Sequence, residues 1–308
     1  MTGDVLQVYR AALEEDACIY HLHDPELIPA GLMLKLHGKR VLYDVHEDLP
    51  LTLHEKGWIP RRVRPAVELG ARFIGWVAGK SVDAIVAATP SIARTFPLRK
   101  TIAVQNFPLE DLSAVRGVPH WQRPATILYV GVVSDVRGMW ELLDSMLLLP
   151  ASLHAKLSIA GRFEPPELEA ELRQHPAWPT VQLHGWQSRE GVGRLMSQSR
   201  VGAVVLRPNA NFLESQPLKL FEYMAAGLPI VASDFPFWRE LIGECRCGYL
   251  VNPLRPCEIA AAIQKLLEDP ATAQEMGERG RAAVASRFAW EHEAEKLVAL
   301  YDQLAAVA

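Results

Sequence analysis

Short apolar, β-branched runs alternate with amphipathic segments from one end of the chain to the other, and this alternation restricts the fold more than any other feature. A strand followed by a helix-length crossover rejoins its sheet in parallel, so repeated βα units give an open parallel sheet with helices on both faces. In the first half, the expected strands are Ala17 to His21, Arg40 to Val45, Ala84 to Ala88 and Thr101 to Val104. Leu27 to Leu36 and Val63 to Val77 carry helical spacing. From Asn106 to Pro124 the sequence is polar and broken by Pro108, Pro119 and Pro124, as an interdomain linker is. A fresh series then predicts strands at Thr126 to Val130, Lys156 to Ala160, Val181 to His184, Gly202 to Leu206, Pro229 to Ala232 and Gly248 to Val251. Pro256 to Leu304 has an almost continuous helical pattern, broken near Pro270 and Phe288, with a long last helix that leaves its own sheet. The expectation is an α/β chain of two unequal, Rossmann-like, doubly wound domains over 1–115 and 116–288, with a C-terminal helix over 289–308 packing back toward the first.

The 308 residues also leave room for a single large α/β barrel. With 49% apolar and 22% charged residues, wholesale disorder is excluded. A formal charge of −4 leaves no overall basic footprint, so nucleic acid is not an expected partner. Cys18, Cys245, Cys247 and Cys257 form no CxxC pair and read as small buried residues in a reducing compartment. The opening Met-Thr-Gly-Asp-Val has no basic segment leading into an apolar stretch, and no apolar run approaches the roughly 20 residues that span a bilayer. A cytoplasmic location is expected.

The most informative stretch is Asn211 to Asp234, NFLESQPLKLFEYMAAGLPIVASD, which reads as loop, helix, tight turn and strand. The helix is expected from Pro217 to Ala226, with Gly227 as a left-handed cap. Its first turn offers unpaired N–H groups and the positive dipole end, and Lys219 adds a full charge, together suited to a diphosphate. Glu214 precedes this helix and Glu222 lies within it, so one carboxylate is available to a reacting sugar and the other to ribose hydroxyls. A second candidate phosphate loop is GVVSDVRG, Gly131 to Gly138, where Gly131 permits close backbone approach and Arg137 can pair bidentately with phosphate. The alternative there is a plain βα turn with a surface arginine. A third cluster, His21-Leu-His-Asp-Pro-Glu26 with His46-Glu-Asp48, closes two strands. Sugar contact, a metal site, or ordinary polar strand ends all remain open for it.

In these segments the chain resembles the family-four retaining glycosyltransferases (glycosyl transferases group 1), marked by two glutamates with seven residues between them and an alanine-glycine-proline turn. Glu214, Glu222 and AAGLPIVASD match that mark, and the HxH-acid-Pro segment matches at His21 to Pro25. The resemblance implies a GT-B arrangement of two domains facing a cleft. It places Glu214 and His23 as catalytic groups and Gly131, Arg137, Arg162, Lys219, Leu220 and Glu222 as donor-binding groups, with no metal. The phosphate loop departs from the family: Val132 follows Gly131 where an arginine is usual, and Arg137 stands in for a lysine, with Arg162 as its partner cation. The HxH segment also comes early, so the first strands and a glycine-rich loop are expected to be missing, leaving a sheet edge exposed or covered by a partner chain. The activity implied is transfer of a hexose from a nucleoside-diphosphate sugar to a glycan or lipid-linked glycan, with retention, without a cofactor, in cell-surface polysaccharide synthesis. The rivals are a catalytically impaired nucleotide-sugar-binding partner subunit and a metal-dependent hydrolase built on the HxH segment.

Between Lys56 and Lys80, Lys56, Arg61, Arg62, Arg64 and Arg72 interleave with Trp58, Ile59, Phe73, Ile74 and Trp76. Two readings stand: a helix lying on an anionic leaflet at the inner membrane face, or a solvated helix whose apolar face packs on the N-terminal sheet.

Overall fold

The computed structural model describes residues 2–55, 59–60, 62–108 and 118–306, and its chain forms two compact units: Met1–Asn106 with Glu291–Ala308, and Phe107–Trp290. The expected boundary between 115 and 116 lies outside the described residues.

The first unit begins with α1 (Thr2–Glu15), an element the sequence pattern did not announce. Tyr9, Ala12 and Leu13, spaced along one helical face, attach it to the core. Then come β1 (Ile19–Leu22), α2 (Ile28–Leu36), β2 (Arg40–Val45), α3 (Leu49–Glu55), α4 (Arg64–Ser81), β3 (Ala84–Ala87), α5 (Pro90–Ala93) and β4 (Thr101–Ala103). β2 matches its expected span; β1 starts two residues late, and β3 and β4 each stop one residue early. The four strands pair in parallel in chain order, β1-β2-β3-β4. Right-handed crossovers in such an order fall on one face. There Tyr43, Val45, Ile85 and Ala87 pack with Ile28 and Leu34 of α2 and Ala78 of α4. Asp83 fastens this corner by accepting from Lys35 Nζ at 2.6 Å, Arg40 Nη1 at 3.1 Å and the Val41 amide at 2.9 Å. Burial raises the Asp83 pKa, but these donors outweigh it and hold the carboxyl below its ordinary range.

The α4 helix corrects the reading that its large apolar residues pack on the sheet. Ala71, Ala78 and Gly79 are the buried ones, whereas Leu69, Phe73 and Trp76 form an outward stripe, with Phe73 61% and Trp76 59% exposed. Ile59, counted with the outward-facing set, is buried, and Lys56, Trp58 and Arg61 lie outside the described residues. No helix among the described residues is long and apolar enough to cross a membrane.

The second unit runs β5 (Thr126–Val130), α6 (Met139–Leu147), β6 (Lys156–Ala160), α7 (Leu168–Leu172), β7 (Val181–Gly185), α8 (Arg189–Gln198) and β8 (Val201–Val204). It continues with α9 (Ala210–Leu213), α10 (Leu218–Ala225), β9 (Ile230–Ser233), α11 (Pro236–Cys245), β10 (Gly248–Val251), α12 (Pro256–Glu268) and α13 (Pro270–Arg287). The parallel sheet has the order β10-β9-β8-β5-β6-β7. Chain direction across the sheet therefore reverses between β5 and β8, the arrangement that opens a crevice at the strands' carboxyl ends. β8 stops at Val204 rather than Leu206 because the Ser233 hydroxyl takes over the pairing, accepting from the Leu206 amide and donating to its carbonyl, both at 2.8 Å. Cys245 and Cys247 are buried as expected, but Cys18 and Cys257 are exposed.

The last helix, α14 (Trp290–Ala305), belongs largely to the first unit. Its buried Glu293 accepts from the Gln105 amide at 3.0 Å and from Lys296 Nζ at 2.6 Å, and Tyr301 Oη lies 2.7 Å from His21 Nδ1. His21 points away from the face that carries Tyr20 and Leu22, so α14 supplies the helix on the second face of this sheet.

Candidate functional site

At the switch point of the second sheet, β5 ends in Gly131, whose φ of +115° few side chains tolerate. A Cβ added there would stand 3.2 Å from Lys219 Nζ. The neighbouring Gly161 is packed against the Gly131 carbonyl, and Gly138, at φ +68°, is packed against the Val205 carbonyl, so backbone meets backbone on both sides of the loop. Arg137, half-buried, closes the turn between Gly131 and α6. Arg162 is exposed on the loop after β6, and its carbonyl accepts from the Val133 amide at 2.8 Å, tying the two loops together.

Lys219 enters from the first turn of α10. The residue is 8% exposed, and its ammonium sits 4.1 Å from the centre of the Tyr129 ring with no hydrogen-bond partner among the described residues. Burial, with repulsion from Arg137, pulls its pKa down to about 7 against the opposing pull of Glu222. An unpaired cation held dry is costly to keep, and an anion placed there would relieve the cost. Glu222, one turn further on, is pushed above its ordinary value by burial even though Arg189 Nη1 stands 3.8 Å away. Tyr223 anchors α10 to β5, accepting from the Val130 amide at 2.9 Å and donating to the Leu128 carbonyl at 3.2 Å.

Three details differ from the sequence reading of this segment. Pro217 caps α10 rather than opening it, because its backbone is extended (ψ 128°). Leu220 is fully buried in the core, and its amide is bonded to the Pro217 carbonyl at 2.9 Å, so its side chain offers no surface to a donor. Glu214 does not sit in a plain loop but ends the one-turn helix α9, whose Asn209 cap accepts from the Phe212 amide at 2.7 Å. Its carboxylate is exposed and without a partner among the described residues, while the next carbonyl, that of Ser215, is held by Trp238 Nε1 at 2.8 Å. The left-handed Gly227 is where it was expected, at φ +70°, with the Leu228 and Gly227 amides bonded to the Tyr223 and Met224 carbonyls.

In the first unit, His21, His23 and His46 gather around Asp44, a residue the sequence reading had not singled out. Its Oδ2 lies 3.6 Å from His21 Nε2, 3.3 Å from His23 Nδ1 and 3.4 Å from His46 Nε2. His21 stacks on His23 at 4.4 Å, and burial lowers its pKa to about 4 in spite of Asp44. His23 is exposed just beyond β1. His21, His23 and Asp44 place ligand atoms within 4.8 Å of one another, close enough to share a metal ion. Glu47 and Asp48 stand apart from the cluster, Glu47 accepting from Thr52 Oγ1 at 3.0 Å and Asp48 capping the Leu51 amide at 3.3 Å. Asp44, Tyr129 and Arg189 all escaped sequence reasoning. The only signal for Asp44 was its place on β2 two residues before His46, which follows the strand's end, so that alternating side chains bring the two to one side.

The family described as Glycosyl transferases group 1 matches residues 116–283, more than half of the chain. Curated relatives include the MMP alpha-(1->4)-mannosyltransferase of Mycolicibacterium hassiacum, 27% identical over 54% of this chain and 40% of its own length. The phosphatidyl-myo-inositol mannosyltransferase of Mycobacterium leprae is 29% identical over 58% of this chain and 47% of its own. The chain thus spans under half the length of each of these relatives. Among solved structures, Anabaena HepE in complex with UDP has a TM-score of 0.75 at 16% identity, covering 97% of this chain and 82% of that one. Sucrose-phosphate synthase from Thermosynechococcus elongatus has a TM-score of 0.73 at 20% identity, covering 99% and 78%. The fold of this chain is therefore similar to that of GT-B glycosyltransferases.

Proposed function

Because the chain belongs to the glycosyl transferases group 1 family, we propose that it moves a hexose from a nucleoside-diphosphate sugar to a hydroxyl of a glycan or lipid-linked glycan, with retention of configuration, in cell-surface polysaccharide synthesis. The observation that carries this reading is the buried, partnerless ammonium of Lys219 at the switch point, facing a glycine turn that leaves room for phosphate oxygens. The neighbour HepE was solved with UDP and with UDP-glucose, which supports the donor class. Lys219, Arg137 and the first-turn amides of α10 stabilise the departing diphosphate, with Arg162 contributing from the adjoining loop. Glu222 accepts hydrogen bonds from the ribose. Glu214 works beside the anomeric carbon as positive charge develops, and His23 contacts the donor sugar. This scheme asks for no metal and no cofactor, since cations and helix amides carry the leaving-group charge.

On the same reading the enzyme works in the cytoplasm at the inner face of the membrane, with the exposed Phe73 and Trp76 and the basic residues of α4 toward anionic lipid. A second reading, a nucleotide-sugar-binding subunit that depends on a partner, draws on β1, which among the described residues pairs on one side only, with β2. A third, a metal-dependent hydrolase, draws on the His21, His23 and Asp44 cluster. Calorimetry with UDP-, GDP-, ADP- and TDP-sugars, followed by turnover of wild type and Glu214→Ala with the donor that binds, separates them. Donor binding with no turnover across several acceptors favours the subunit, and stoichiometric zinc with no donor binding favours the hydrolase.

A further inference from the structure

Beside the outward stripe of α4 lies a cavity of about 590 Å³, within the range of about 300–1,000 Å³ that takes drug-sized ligands. Its walls are predominantly apolar, including Tyr43, Val45, Ile74, Ile92 and Phe96. The polar groups at its edge divide by sign. The carboxylates of Glu47 and Asp48 are tied to Thr52 and the Leu51 amide, whereas Arg72 and Lys80 are exposed and make no hydrogen bond or ion pair among the described residues. Phe73 and Trp76, stacked at 5.9 Å, project from the same helix into solvent, where apolar rings of this size are costly unless something covers them.

We infer that this cavity takes the hydrocarbon tail of a phosphate-headed membrane lipid, with Arg72 and Lys80 meeting the head and the Leu69, Phe73 and Trp76 stripe resting in the bilayer surface. The apolar walls fit a tail, and Arg72 and Lys80 at the edge, without ion-pair partners among the described residues, fit an anionic head. Arg72 and Trp76 line the cavity while Phe73 and Leu69 continue the stripe, so one helix serves both and the lipid enters from the surface on which the protein rests. The inference rests on the transferase reading for the identity of the lipid: it is the carrier of the acceptor glycan.

Gly75 offers a selective plug. Outside its own helix a Cβ there meets only Phe96 Cε1, at an ordinary 3.9 Å, so Gly75→Leu has room to place a side chain at the cavity wall. Farnesyl phosphate is titrated into the full chain, with inorganic phosphate and farnesol as controls, and sedimentation is followed with phosphatidylglycerol-containing and pure phosphatidylcholine vesicles. Farnesyl phosphate is expected to bind at least tenfold tighter than either control, and G75L to weaken it at least tenfold while still sedimenting with the anionic vesicles. The L69S/F73S pair, at exposed stripe positions that do not line the cavity, is expected to do the reverse. Equal farnesyl phosphate affinity in G75L and wild type overturns the tail site, as does the absence of binding to wild type. UDP binding by the same samples keeps the two readings apart: a chain that binds UDP but not farnesyl phosphate loses the tail site alone, and one that binds farnesyl phosphate but no nucleoside diphosphate keeps the tail site and loses the donor reading.

Discussion

The two units each bury a basic group near the carboxyl ends of their strands, and they surround it differently. In the second, Lys219 is left without a partner against the Tyr129 ring, its charge uncompensated. In the first, His21 has neighbours on both ring nitrogens: Tyr301 Oη bonds Nδ1 at 2.7 Å, and Nε2, though it makes no hydrogen bond, faces Asp44 Oδ2 at 3.6 Å, with His23 stacked on the ring. The sheets explain the contrast. Reversal of strand order between β5 and β8 opens a crevice where backbone amides and Lys219 face a space, whereas the first sheet runs in chain order and sets His21 and His23, at the end of β1, beside Asp44 and His46, at the end of β2. Lys219 Nζ thus faces an aromatic ring and a glycine turn, whereas the unbonded His21 Nε2 faces a carboxylate.

The largest effect should come from the exposed carboxylate of Glu214. On the proposed mechanism Glu214→Ala lowers turnover by about 10²–10⁴, the range for a positioned catalytic carboxylate, while donor binding holds within a few-fold. Wild-type turnover in that variant, with the donor identified by calorimetry, would remove the assignment.

Next comes Lys219→Met, which should weaken nucleoside-diphosphate binding by about 10- to 100-fold, the worth of one charged hydrogen bond, while leaving thermal stability equal or higher. A large fall in melting temperature would show that Lys219 holds the fold and would erase the contrast between the units.

The pH response sharpens the same point. In the free protein Lys219 loses its proton above about pH 7, so diphosphate affinity should fall from there toward pH 9, by up to about tenfold per unit. Lys219→Arg should flatten the profile. Stability moves the other way: the unfolded lysine, near 10.5, keeps its proton between about 7 and 10.5 when the folded one does not, so the folded state gains stability as pH rises through that window.

The smallest effect belongs to the first unit. Tyr301→Phe removes the bond to His21 Nδ1 and should cost about 1 kcal/mol in denaturant unfolding. His21 titrates near 4 when folded and near 6.5 when unfolded, so its contribution to stability is present above about 6.5 and is lost as pH falls toward 4. A flat unfolding profile across that range would show that His21 is not buried neutral.

Much of the second unit was legible because its strands are short, apolar and bounded by turn residues. Thr126–Val130, Lys156–Ala160 and Gly248–Val251 have the expected ends. So does Arg40–Val45 in the first unit. Lys219, Glu222 and Gly227 were legible as one loop-helix-turn unit, since capping and dipole rules act within a few residues. What escaped depends on contacts distant in sequence. Tyr129 reaches Lys219 across 90 positions, and Asp44 becomes the centre of a histidine cluster only through the pairing of β2 with β1. The facing of α4 was left between two readings because helical periodicity shows that large residues share a face, not which face the sheet takes; the small residues at 71, 78 and 79 let the backbone sit close, and the large ones were left outside.

The sequence by itself determined the class of fold, the parallel pairing that follows from βα repetition, and the kind of chemistry available in residues 211–234, because these are local properties of spacing and residue type. Only the tertiary structure decided that Lys219 is dry and alone, that Leu220 belongs to the core and that Phe73 and Trp76 face outward. Burial, and with it the cost of a charge or an exposed ring, is set by which segments the sheet order brings together, and that order is not written in any one segment.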